Sequence, residues 1–77
     1  MQTTQANLVV DVQKVLGRES GNALVSELGG MSGVLRATVS SRASRLVLVD
    51  YDPWLTDSQR ILGTVQRQGF DARLIGM

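Results

Sequence analysis

The chain has 77 residues, a formal net charge of +1, and neither cysteine nor histidine. That length supports one domain with a modest core. The composition excludes disulfides, sites built on thiolate or imidazole, and the usual group for proton transfer near neutral pH.

Residues 1–5 read as a flexible polar tail, and 6–77 as one domain. Leu8, Val10 and Val12 alternate with Val9, Asp11 and Gln13, the period of a strand buried on one face. Ala23, Leu24 and Leu28 then recur at helical spacing, with Glu19 or Ser20 placed to start a helix and Gly29-Gly30 to stop it. A second strand is expected from Gly33 to Ser40, with Leu35, Ala37 and Val39 on one face and Val34, Arg36 and Thr38 on the other. The polar loop Ser41-Arg42-Ala43-Ser44 joins it to a third strand, Arg45 to Tyr51, as a β-hairpin. Asp52-Pro53 ends that strand, because proline cannot donate to a ladder. Thr56-Asp57-Ser58-Gln59 has the form of a capping box, with Thr56 as acceptor, Gln59 reaching back and Asp57 suiting the helix dipole. Ile61, Leu62 and Val65 form the apolar stripe of this second helix, and Gly69 stands where a left-handed residue ends it. Phe70 to Ile75 reads as a last strand. The order βαββαβ predicts an α+β, ferredoxin-like sandwich: a four-stranded antiparallel sheet with both helices on one face.

The stretch from Leu46 to Ile75 carries Val47, Val49, Tyr51-Asp52-Pro53, a capped helix and Gly69-Phe70-Asp71-Ala72. It resembles the second half of a heavy-metal-associated domain, the module of copper chaperones and metal-transporting ATPases. The first half agrees more loosely, through the strand near Asn7 to Gln13 and Gly33-Val34 opening strand two. The resemblance implies a Met-x-Cys-x-x-Cys loop after the first strand, where two thiolates at a helix start bridge a soft ion. Here the loop reads Gln13-Lys14-Val15-Leu16-Gly17-Arg18-Glu19-Ser20, with no soft ligand and two cations. This is a variant without the CxxC motif, and no metal-site residue carries over.

Other chemistries fare no better. Met1, Met31 and Met77 supply the only sulfur, as neutral thioethers, and fit core filling or simple exposure. Asp50 and Asp52 fall short of the six to eight oxygens a calcium ion takes. No metal ligand and no cofactor is therefore expected. Asp11 and Glu19 flank the first loop, but a solvated strand residue and a helix N-terminal charge account for them, so no catalytic residue is expected either. Nucleic acid is not an expected partner: strand one has no aromatic, Tyr51 faces the helices, and Arg36, Arg42 and Arg45 make a thin phosphate track. No run reaches the roughly 20 apolar residues of a membrane span. The first residues lack the regions of a secretory signal, so the expected location is cytoplasmic.

Alternation points to a protein partner or self-association. With Leu8 and Val10 inward, Val9, Leu46, Leu48 and Ile75 become neighbours on the open sheet face, and Arg36, Arg73, Asp11 and Asp50 surround them. An apolar centre with a charged rim is the anatomy of a protein contact surface. Trp54 either covers the edge of the core, the more economical placement, or stands out as a contact hot spot. The leading expectation is a non-catalytic docking module within a metal-handling system. One alternative is a metal carrier using backbone, carboxylate or partner-supplied ligands. A third is a ligand-sensing domain of the ACT type, which shares the element order.

Overall fold

The computed structural model describes residues 5–75, so most of the expected tail, with Met1 and Met77, lies outside the described residues. Six elements follow in the expected order: β1 (Ala6–Asp11), α1 (Arg18–Gly29), β2 (Val34–Val39), β3 (Leu46–Tyr51), α2 (Ser58–Arg67) and β4 (Arg73–Ile75). The sheet order is β2-β3-β1-β4, antiparallel at every junction.

Strand alternation and the helical stripes meet in a single core. Leu8 and Val10 of β1 and Val47, Val49 and Tyr51 of β3 present their side chains to Leu24 and Leu28 of α1 and Ile61 and Val65 of α2. All nine are buried, at 9% exposure or less. At roughly 1.5–3 kcal/mol for each large aliphatic removed from water, this cluster is the main stabilising contribution of the fold.

Four local expectations are corrected. In β2, Val34 pairs with Tyr51 and Arg36 with the adjacent Asp50, so Leu35 is the extra residue of a β-bulge. Leu35 is exposed and Val34 takes the inward place. In α1 the buried stripe is Gly21, Leu24 and Leu28, while Ala23 is exposed, and the helix starts at Arg18 behind Gly17. A Cβ on Gly21 would come within 3.3 Å of the Val39 side chain, so a small residue lets α1 approach β2. In α2 the cap is Asp57, whose carboxylate accepts from the Arg60 N–H at 2.8 Å. Thr56 instead turns inward, and its buried hydroxyl has no hydrogen-bond partner. The final strand is shorter than expected, Arg73–Ile75 among the described residues, after the positive-φ Gly69.

Gly33 ties the α1–β2 connection to the β3–α2 turn at one end of the sandwich. Its carbonyl accepts from Asp52 N–H at 2.8 Å, and its φ is +94°. A Cβ there would fall 2.8 Å from that of Leu55, a distance real side chains do not adopt.

Candidate functional site

Pairing register sets the face of the sheet turned away from the helices in three rows. In the middle row Val9 lies opposite Leu48 on one side and Ile75 on the other, and Leu48 lies opposite Thr38. Leu48 is 44% exposed and Ile75 36%. One row over, Asn7 lies opposite Asp50, and Asp50 opposite Arg36. The Asn7 amide donates to the Asp50 carboxylate. On the other side, Asp11 lies opposite both Leu46 and Arg73. A shallow concavity of about 330 Å³ runs along this face between Asn7, Arg36, Thr38 and Leu48. The four apolar residues expected on the open face are thus brought together, with Arg36 and Arg73 flanking them.

Asp11 departs from expectation. Instead of a solvated rim charge it is 1% exposed. One carboxylate oxygen accepts from the Gln13 N–H at 2.8 Å. The other stands 3.5 Å from the Arg45 guanidinium and 3.9 Å from that of Arg73. Two arginine side chains cover the carboxylate from water, and their charge offsets the cost of its burial. The alternation of β1 places Asp11 on the open face; nothing local reveals that residues far along the chain would cover it.

The loop after β1 is stitched to the β2–β3 hairpin, with Val12 N–H donating to Arg45 C=O at 2.9 Å and Leu16 N–H to Ser44 C=O at 3.0 Å. Gln13 takes a φ of 64°, held there by its bond to Asp11. Leu16 is buried and Val15 is 73% exposed. The Lys14 ammonium stands 5.6 Å from the centroid of the Phe70 ring, a cation–π contact that sequence spacing gives no means of finding. Gly17 begins α1 without a side-chain cap, followed by exposed Arg18, Glu19 and Ser20. Among the described residues no group of three carboxylates gathers at any point. Asp50 is engaged by Asn7, and Asp52 accepts from the Trp54 N–H at 2.9 Å in the turn after β3. Met31 is partly buried against the core.

Trp54 does not cover the core edge. It is 83% exposed, and neighbouring Leu55 is 58% exposed. The turn bonds from Leu55 and Thr56 N–H to Asp52 C=O hold this segment outward.

No protein-family model matches the sequence, and no curated protein matches it. Solved structures do. A copper binding domain from a P-type ATPase superposes with a TM-score of 0.81 at 23% identity, covering 91% of this chain and 93% of that one. Oxidized MerP from Ralstonia metallidurans gives 0.83 at 14% identity, over 95% and 100% of the two chains. The CopZ metallochaperone gives 0.73 at 24%, over 91% and 100%. The chain has the heavy-metal-associated fold. It carries that fold without a single cysteine. The loop that follows the first strand of this heavy-metal-associated sandwich is lined instead by a lysine, an arginine and aliphatic side chains. No helix among the described residues is long and apolar enough to cross a membrane.

Proposed function

We propose that this chain is a non-catalytic docking module of the heavy-metal-associated fold, making protein contacts within a metal-handling system rather than carrying an ion. One observation carries the reading. The β1–α1 loop presents Lys14 and Arg18 with no thiolate, while the open sheet face presents a continuous apolar row flanked by polar rows. A soft cation meets repulsion at the loop, and a protein surface meets an apolar centre it can desolvate.

Leu48 is the centre of that row, so the reading makes it the residue whose loss matters most. A photo-crosslinking residue at exposed Thr38 is expected to trap a defined protein product in cells. The same residue at Asn22, on the exposed side of α1, traps none. Leu48→Glu is expected to abolish the Thr38 product and leave the far-UV spectrum unchanged. Equal products from both positions, or a Thr38 product indifferent to Leu48→Glu, would remove the open face as the docking surface. A cytoplasmic compartment belongs to this proposal; recovery of the tagged chain from the periplasm, where the mercury-bound MerP neighbour is described, overturns that part.

A second reading is metal carriage through carboxylate, backbone or partner-supplied ligands. It draws on the fold shared with structures described as copper- and mercury-binding. Titration of Cu(I) against a competing chelator separates the two: stoichiometric capture by the chain alone moves the assignment to metal carriage.

A further inference from the structure

The topology sorts the charges of this chain to opposite ends of the sheet. β1 and α2 run toward one end, and α1, β2 and β3 start or finish accordingly. The first end gathers the β1–α1 loop, the β2–β3 hairpin and the α2–β4 turn. It carries Lys14, Arg18, Arg42, Arg45, Arg67 and Arg73, six of the eight cations, against three of the seven anions, Asp11, Glu19 and Asp71. Asp11, moreover, is buried under Arg45 and Arg73. The other end gathers the α1–β2 and β3–α2 connections and carries Glu27, Asp50, Asp52 and Asp57 against Arg36 and Arg60. The helices do not undo this separation, because α1 and α2 run in opposite directions and their dipoles offset each other. A net charge of +1 therefore conceals a basic pole and an acidic pole.

Each pole also exposes apolar surface. Val15, 73% exposed, stands at the basic pole. At the acidic pole stand Trp54 at 83%, Leu55 at 58% and Leu35 at 53%. Leu55 lies against Gly33, two residues before the bulged Leu35, so the bulge and the β3–α2 turn expose aliphatic surface at the same end. An exposed tryptophan at a pole of net negative charge is complementary to a cationic surface with a small apolar knob. This chain's own basic pole is a surface with those properties.

We infer that the chain associates head to tail with a second copy of itself, the Trp54 pole of one molecule seated on the Val15 pole of the next. Such a contact is heterologous, so it leaves one free pole at each end and extends into short chains rather than closing as a symmetric dimer. The contact is independent of the open sheet face, which stays available for another partner.

The experiment is sedimentation of the full chain over a concentration series, at about 20 mM and about 0.5 M salt, bracketing the range over which charge is screened. The weight-average mass is expected to rise above 8.3 kDa with concentration in low salt and to fall back to it in high salt. Trp54→Arg blocks the acidic pole and Val15→Glu the basic pole; both sites are exposed, so both variants keep the wild-type far-UV spectrum. Each alone is expected to associate at least tenfold more weakly than wild type. Mixed, they retain one compatible pair of poles and form a 1:1 heterodimer that grows no further. A wild type that stays at monomer mass in low salt overturns the inference. So does association that strengthens with salt, that survives in either single variant, or that Leu48→Glu abolishes while the mixed variants fail to pair.

Discussion

A carboxylate with 1% exposure on a nominally open sheet face is held from several sides. Asp11 holds the Gln13 N–H in place just where the backbone turns left-handed, and it sits beneath Arg45 and Arg73. Of these contacts the hydrogen bond outweighs the ion pairs. A bond to a charged acceptor contributes about 1.5–3 kcal/mol, whereas arginines more than half exposed are screened by water and contribute less than about 1 kcal/mol each. Asp11→Ala is therefore expected to lower the unfolding free energy by about 2–3 kcal/mol, read as a shift of the urea midpoint with an unchanged slope. Asp11→Asn keeps an acceptor for Gln13 and is expected to cost about half as much. Arg45→Ala and Arg73→Ala each stay below about 1 kcal/mol. Arginine variants as damaging as Asp11→Ala would show that charge, not the backbone bond, holds the loop. Sequence reading placed Asp11 on its face through strand period alone, and burial by residues 34 and 62 positions along the chain leaves no mark on that period.

At the level of elements, β1 and β3 were legible because each buries every second side chain, Leu8 and Val10 in one and Val47, Val49 and Tyr51 in the other. β2 misled because Leu35 continues the apolar alternation, while the pairing of Val34 with Tyr51 and Arg36 with Asp50 skips it. A bulge is a property of two strands in register, and one strand's sequence does not contain it. The start of α2 offered two tandem acceptors, Thr56 and Asp57. The structure selects the one whose charge suits the free amides of a first helical turn, leaving Thr56 to fill space under the β3–α2 turn. Asp57→Ala is accordingly expected to cost about 1 kcal/mol of stability. Gln59→Ala, which removes no bond to the cap, stays within about 0.5 kcal/mol. Equal losses in chemical denaturation would restore the reciprocal box that the Thr-x-x-Gln spacing suggested.

For the whole molecule, element order and sheet order follow from the βαββαβ pattern, and the open-face neighbours follow from the sheet order. The charge of the two poles follows as well, once successive connections are assigned alternately to the two ends of the sheet, but the exposure of Val15 and Trp54 at them does not. On the proposed docking reading, what separates this chain from a metal carrier is narrower still: the side chains at the start of α1. Gly17 has an ordinary backbone conformation, φ −74° and ψ 171°, and a Cβ there meets nothing within 4 Å. Ser20, three residues on, is exposed on the first turn of α1. Cysteines at both places would present two sulfurs to one point at a helix N-terminus, where the dipole and nearby Lys14 and Arg18 favour thiolates. Two thiolates around Cu(I) make an anion overall, so cations that repel the bare ion stabilise the complex. The reduced Gly17→Cys, Ser20→Cys double variant is thus expected to take one equivalent of Cu(I) from a competing chelator that the wild type leaves loaded. Gly17→Cys alone supplies one sulfur and is expected to leave the copper on the chelator. Zinc, which takes four ligands in structural sites, is expected to stay with its chelator in every case. A double variant that is folded and reduced yet leaves the copper untouched would place the obstacle in the conformation of the Gln13–Gly17 loop rather than in the identity of its ligands.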